Sequence, residues 1–279
     1  MVRYSNTVQL LFLLLIILSQ VFCSYFLAFK NSWSEVFDKM HSIIYLSTSL
    51  CVLFFYFINN SISFPNTENN FKGKNQFNWA VAALTGIGAL VLSYAYYHKL
   101  GLVVTLVITL ELFYALFIKR LPVIGNLVLA SLNALSLLIF LLFDPNIKPY
   151  LILLFTIFIF GIHFIIDFIK DILNNQTETT TGNYTLPALA GNRVSKFFLI
   201  AFLFIYILVL TTSIRLVMVK YFGAPLSYIY LTYNILCLGI PLFRLLSKLQ
   251  TGNEDVDYKY LYQIACYILI TGIFSMMFF

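Results

Sequence analysis

The residues whose types and spacing suggest chemistry lie between Asp167 and Pro187, where an apolar segment ends in acidic and amide side chains. Asp171, Asn174 and Glu178 are three and four positions apart, so a helix would place all three on one face. Carboxylate and amide oxygens are ligands for a hard cation such as Mg²⁺. Carboxylates at a membrane boundary are costly to keep without a use. The pattern predicts a magnesium site at this helix end.

The composition indicates what kind of protein must position these residues. Apolar residues make up 61% of the chain and charged residues 10%, which is far from the balance of a soluble domain. A helical span needs roughly 20 apolar residues, and continuous apolar runs exclude the alternation of a β-barrel. We predict an all-α, polytopic membrane bundle of about nine transmembrane helices, forming a single domain over residues 1–279. The predicted spans are 8–28, 41–58, 78–97, 101–118, 122–143, 150–170, 197–219, 225–243 and 259–279.

The first span has an alternative interpretation, because a basic start before a short apolar run is also typical of a secretory signal. Arg3 precedes the apolar run from Leu10 to Leu18. The run continues past Cys23 to Phe29 without a clear small-residue cleavage site. We therefore interpret this segment as the first transmembrane span.

Basic residues are distributed unevenly over the two sides of the predicted bundle. Eleven of the 17 Lys and Arg residues fall on the side of the N-terminus and of the polar loops 59–77 and 171–196. The positive-inside rule then predicts that the N-terminus and these loops are cytoplasmic. This asymmetry, together with anionic membrane lipid, accounts for the net charge of +6. Without a soluble basic domain, we expect no nucleic acid partner.

Three separated segments match one family pattern in the right order. They are residues 3–6, residues 114–126 and residues 170–187. The third segment is the most specific, because Lys170-Asp171 leads to Thr185-Leu186-Pro187 without a gap. In this arrangement the chain resembles the UbiA family of intramembrane prenyltransferases over nearly its whole length.

The resemblance implies a function and a set of site residues. It implies transfer of a prenyl group from a polyprenyl diphosphate to a small aromatic or lipid acceptor, with Mg²⁺ held by Asp171, Asn174 and Glu178. Asp171 would be a catalytic residue together with Lys119 and Lys170, whose charges would face the diphosphate. The implied substrate-binding residues are Tyr114, Asn59, Asn60, Lys74 and Asn126.

The chain departs from the family at its first acidic motif, Asn-Asp-x-x-Asp-x-x-x-Asp. Asn59, Asn60, Ser63 and Thr67 replace that motif and contribute no carboxylate, whereas magnesium sites usually use one or two. An alternative function is therefore a catalytically impaired UbiA-like protein that binds an isoprenoid or a partner membrane enzyme. The sequence leaves catalytic competence, the acceptor, the prenyl chain length and the oligomeric state open.

Polar residues inside the predicted spans suggest a third hypothesis, a transporter that carries protons. Glu111 lies in the fourth span, and His163 and Asp167 share a face of the sixth. An unpaired carboxylate at this depth is costly, so Glu111 should be neutral or face a polar cavity. A transporter of this kind predicts inverted repeats, and the hydropathy contains no convincing repeat. For His163 we favour a polar cavity over a metal ligand.

Overall fold

The computed structural model describes residues 6–28, 36–63, 69–143, 148–181, 185–221, 224–250 and 257–279. All regular structure in these ranges is helical, which confirms the predicted all-α class. Short π or 3₁₀ segments follow some of the α-helices. The α-helices are α1 (Asn6–Phe22), α2 (Lys39–Ser63), α3 (Asn69–Tyr96), α4 (His98–Leu116), α5 (Ile124–Phe143), α6 (Pro149–Thr181), α7 (Leu186–Tyr221), α8 (Ala224–Asn234), α9 (Ile240–Gln250) and α10 (Tyr258–Phe274).

Eight helical segments in the described ranges are long and apolar enough to cross a membrane. The chain is therefore an integral, multi-pass membrane protein. Each predicted span after the first overlaps one of these segments. The first predicted span falls on α1 and its continuation, where Leu14–Leu27 forms a shorter apolar helix, and a ninth crossing stays a prediction. The eight segments are Lys39–Ile62, Gln76–Tyr96, His98–Leu116, Ile124–Phe143, Pro149–Leu173, Leu186–Tyr221, Tyr228–Gln250 and Tyr258–Phe278.

Several helices extend beyond the apolar runs that predicted them, so the predicted polar loops 59–77 and 171–196 are partly helical in the described residues. Helix α6 continues to Thr181, past the predicted end at residue 170, and α7 begins at Leu186, before the predicted start at residue 197. The prediction followed the apolar layer, but a helix satisfies its own backbone hydrogen bonds and can continue into water. Within α7, Gly191 has a φ of 80°, a conformation that glycine adopts without steric cost.

Helix contacts divide the described chain into two compact units. The first unit contains the chain up to Tyr25, which includes α1, and also the helices α2, α3 and α4. The second contains residues 26–28 and the chain from Lys119 onward, and thus α5 to α10. The single domain over residues 1–279 stays a prediction.

In the first unit, α2 packs against α1, α3 and α4. The hydroxyl of Thr48 on α2 donates a hydrogen bond of 2.9 Å to the side-chain oxygen of Gln20 on α1. Gly86 on α3 lies directly beneath the ring of Phe54. A buried polar pair and a close aromatic contact thus fix α1 and α3 against α2.

Helix α6 is the most buried membrane-spanning helix of the second unit. In its most apolar stretch 78% of the residues are buried, against 22% for α7. Two glycines permit this packing: a Cβ at Gly161 would overlap the ring of Tyr206, and a Cβ at Gly272 would overlap the ring of Phe158. The Tyr206 hydroxyl also donates a hydrogen bond of 3.0 Å to the carbonyl oxygen of Phe158. Helix α6 is therefore held closely between α7 and α10.

The face of α6 toward α7 is aromatic. The ring centroids of Phe164 and Phe202 are 4.0 Å apart, and those of Phe168 and Phe198 are 5.4 Å apart. Phe164 and Phe168 are fully buried, so these rings contribute both apolar burial and ring-to-ring contact. The polar residues of α6 lie on a neighbouring face, whose orientation this packing fixes.

Candidate active site

A stripe of polar side chains follows α6 toward its C-terminal end. His163, Asp167 and Asp171 are four residues apart, and Lys170 lies beside them. His163 and Asp167 are buried in the span, whereas Lys170 and Asp171 are partly exposed. The predicted helical stripe is therefore present, and it leads from the apolar interior to the membrane boundary.

Asp171 is oriented by a residue from the neighbouring helix. The side-chain Nδ2 of Asn126 donates a hydrogen bond of 2.7 Å to Oδ2 of Asp171. Asn126 is itself buried in the first turn of α5, so its side chain can move little and keeps the Asp171 carboxylate in one orientation. The structure thus brings together two residues that the sequence assigned separately, one to substrate and one to metal. A hydrogen-bonded carboxylate is the usual arrangement for a metal ligand.

Lys170 forms an ion pair within the same helix. Its Nζ lies 3.0 Å from Oδ1 of Asp167, and the two side chains are 27% and 12% exposed. This pairing compensates a carboxylate that would otherwise be costly at this depth. Lys170 therefore has a protein partner as well as its predicted role toward diphosphate.

His163 has a partner that sequence reasoning missed. The side-chain Nδ2 of Asn133 on α5 lies 3.2 Å from its Nδ1, within hydrogen-bond distance. The signal for this contact was the spacing of Asn126 and Asn133, the two amides of a mainly apolar helix, which are seven residues apart. That spacing is two helical turns and places both amides on the face toward α6.

The remaining predicted metal ligands follow Asp171 along α6. Because the helix runs through to Thr181, the spacing of Asn174 and Glu178 keeps both on the face of Asp171. Their side chains lie outside the described part of the structure. Among the described side chains, no three His, Cys, Asp or Glu residues are placed to hold a metal ion. The three-ligand magnesium site stays a prediction.

Lys119 belongs to the second unit and lies in a 3₁₀ turn formed by Ile118–Arg120. Its side chain is partly buried. The turn precedes α5 by a few residues and so leads to the helix that carries Asn126. The predicted diphosphate contact of Lys119 stays a prediction.

Tyr114, Asn59 and Asn60 belong to the first unit. Tyr114 is buried on α4, and its ring centroid lies 5.5 Å from that of Phe55 on α2. Asn59 is one turn beyond Phe55, and both asparagines are partly buried near the end of α2. The structure therefore places Tyr114 close to the level of the substituted first motif.

Other residues assigned to the first loop fall partly outside the described structure. Lys74 lies on α3 and Ser63 ends α2, but their side chains are outside the described part of the chain. Thr67 lies outside the described residues altogether. The substrate-binding role of Lys74 therefore stays a prediction.

Three solved structures share this arrangement of helices over nearly the whole chain. A digeranylgeranylglyceryl phosphate synthase aligns with a TM-score of 0.68 and 15% identity, over 97% of this chain and 95% of the other. A UbiA homologue from Aeropyrum pernix K1 gives a TM-score of 0.62 at 13% identity, over 97% and 98%. A UbiA homologue from Archaeoglobus fulgidus, bound to GPP and Mg²⁺, gives 0.63 at 13% identity, over 98% and 99%.

Sequence comparison adds no further assignment, because no protein-family model and no curated protein matches the chain. At these identities, the structural matches show a shared fold. The resemblance inferred from residues 3–6, 114–126 and 170–187 is confirmed at that level: the chain has the fold of the UbiA family of intramembrane prenyltransferases.

Proposed function

We propose that the protein is an intramembrane prenyltransferase that transfers a prenyl group from a polyprenyl diphosphate to a lipid or aromatic acceptor. The observation that carries the proposal is Asp171, oriented by Asn126 at the boundary end of α6 in a UbiA fold. The homologue from Archaeoglobus fulgidus, which has been solved with DMAPP and Mg²⁺, supports the same class of donor. The fold gives no comparable support to a proton transporter.

The chemistry of the proposed donor set on α6 suits a magnesium ion. Asp171 and Glu178 offer carboxylate oxygens and Asn174 an amide oxygen, all hard ligands on one helix face. When bound, Mg²⁺ would neutralise negative charge on the departing diphosphate. Asn126 holds Oδ2 of Asp171 in place, which orients the carboxylate before the ion arrives.

Basic side chains would bind the remaining phosphate charge. In this proposal Lys119 and Lys170 contact the diphosphate, and Lys170 must then share or exchange its contact with Asp167. Diphosphate is a stronger competitor than a single carboxylate because it carries more charge and more acceptor oxygens. In the absence of diphosphate, the ion pair with Asp167 thus keeps the Lys170 side chain next to the proposed diphosphate site.

The first motif would bind the donor through neutral groups. Asn59, Asn60 and Tyr114 offer amide and phenol groups, and Lys74 a positive charge, but the motif lacks the aspartates that a second magnesium ion would need. We therefore propose one Mg²⁺ per active site, held from α6. The distribution of basic residues supports a cytoplasmic location for both motif loops and the N-terminus.

The function is tested by binding and turnover with the purified full-length protein. We expect a non-hydrolysable geranylgeranyl diphosphate analogue to bind in the presence of Mg²⁺ and to be released by EDTA. The reactive diphosphate should then yield prenylated product with a panel of phenols and lipid alcohols. No metal-dependent binding across several prenyl chain lengths would refute the proposal. Metal-dependent binding without turnover would instead support the catalytically impaired alternative.

Asn126 provides a test of how Asp171 is positioned. Replacing Asn126 with Ala removes the hydrogen bond to Oδ2, and we expect the affinity for Mg²⁺ to fall by about 10–100-fold, as for other residues that orient a metal ligand. A Mg²⁺ titration of analogue binding measures this change. Asn133→Ala is the matched control, because it removes an amide from the same face of α5 two turns away. Equal Mg²⁺ affinity in Asn126→Ala and wild type would show that Asp171 needs no such support.

A further inference from the structure

Glu111 is an acidic residue within a membrane-spanning helix of the first unit that the proposed function does not use. It lies on α4, where it is only 5% exposed. Its Oε2 is buried and has no hydrogen-bond partner in the described structure. A buried polar atom without a partner is costly in an apolar medium, and an acid at this depth indicates a functional site.

Ser47 on α2 also has a buried side-chain oxygen without a hydrogen-bond partner in the described part of the chain. It is fully buried, and its hydroxyl has no hydrogen-bond partner among the described residues. Other hydroxyls on this helix donate to the carbonyl one turn before them: Thr48 to Ile44 and Ser49 to Tyr45. That local bond is the usual solution for serine and threonine in membrane helices. Ser47 departs from it.

The packing of α2 against α4 brings Glu111 near Cys51, which lies one helical turn from Ser47. Phe55 contacts Tyr114, and Cys51 lies close enough to Glu111 for electrostatic interaction. From the Cys51–Glu111 contact to the Phe55–Tyr114 contact, residue numbers increase along both helices. Helices α2 and α4 therefore run parallel. Ser47 is one turn before Cys51, and a glutamate side chain leans toward the N-terminus of its helix. In that preferred direction the Glu111 carboxyl would extend from the level of Cys51 toward that of Ser47.

We propose that Glu111 and Ser47 form a binding site for the hydroxyl group of a lipid-soluble alcohol. A hydroxyl both donates and accepts hydrogen bonds, so it matches the serine and also the carboxyl in either protonation state. A ligand that reaches this depth from the bilayer must be predominantly apolar. The site is built from α2 and α4 alone, so the proposal does not depend on Mg²⁺ or on the diphosphate site at α6.

The site is tested by photolabelling the full-length protein in phosphatidylcholine nanodiscs containing EDTA. The probe is a diazirine analogue of dodecanol, and labelled peptides are mapped by mass spectrometry. We expect saturable labelling of α2 and α4 that excess dodecanol suppresses and dodecyl methyl ether does not. The ether has the same chain, but its oxygen cannot donate a hydrogen bond.

The variants separate the roles of the two residues. Glu111→Leu should reduce labelling of these peptides by about tenfold, the effect of losing a strong buried hydrogen bond, and Ser47→Ala should reduce it less. Glu111→Gln keeps polar atoms of the same shape and should retain labelling, which controls for misfolding. Thr109→Val is the surface control, since Thr109 already donates to the carbonyl of Thr105. Equal competition by alcohol and ether, or unchanged labelling in both Glu111→Leu and Ser47→Ala, would overturn the proposal.

Discussion

Asp171→Asn should abolish Mg²⁺-dependent binding of a prenyl diphosphate analogue. The substitution keeps the shape of the side chain but removes the negative charge that Mg²⁺ prefers. The loss should exceed the roughly 10–100-fold expected from removing only a supporting hydrogen bond. Isothermal titration with the non-hydrolysable analogue, with and without Mg²⁺, measures both the affinity and its metal dependence.

A second aspartate serves as the control for this experiment. Asp257 is exposed at the start of α10 and accepts a hydrogen bond of 3.0 Å from the backbone N–H of Tyr260. Asp257→Asn removes the same charge from a carboxylate outside the proposed ligand set and should leave analogue binding as in wild type. If Asp171→Asn also bound the analogue with unchanged metal dependence, the magnesium site would have to be assigned to other residues.

Gly272→Ala should destabilise the second unit because α10 packs on α6 with no room for a side chain. A Cβ at this position overlaps the ring of Phe158, whose backbone carbonyl is also held by Tyr206. Overpacking of this kind typically costs about 1–3 kcal/mol. Thermal unfolding in detergent, followed by size-exclusion chromatography, should show a lower Tm than for wild type.

A second substitution shows whether the ring is the cause. Phe158→Leu removes the overlapping ring atoms, so Gly272→Ala should cost less in that background than in wild type. Gly239→Ala is the control, because a Cβ there meets only the carbonyl oxygen of Asn234 at an ordinary 3.6 Å. Equal costs of Gly272→Ala in both backgrounds would show that the contact with Phe158 is not limiting.

The sequence predicted the elements of this fold better than the contacts between them. The apolar runs located the spans because burial in lipid requires continuous apolar helix. The three- and four-residue spacing after Asp171 matches a helix, and α6 is helical there through Thr181, although the apolar pattern assigned residues 171–196 to a loop. These features depend on local sequence, which a single chain displays directly.

The partners of the polar residues could not be predicted in the same way. The contact between Asn133 and His163 depends on how α5 aligns with α6. That alignment results from apolar packing, which cannot be predicted from the apolar residues of one sequence. The same holds for the bond from Asn126 to Asp171. Pairing across helices is decided by packing of the whole unit, so the sequence identified the candidates without identifying their neighbours.

The two polar contacts between α5 and α6 have a consequence for membrane assembly. In lipid, two apolar helices lose little free energy of association when one slides along the other, because the shift exposes no apolar surface to water. Here the pairs Asn126–Asp171 and Asn133–His163 lie two turns apart on both helices. A slide by one turn, about 5.4 Å, would break both of these hydrogen bonds at once. The two pairs together therefore favour the observed register of α5 against α6, so that a residue proposed for catalysis also contributes to how the chain assembles.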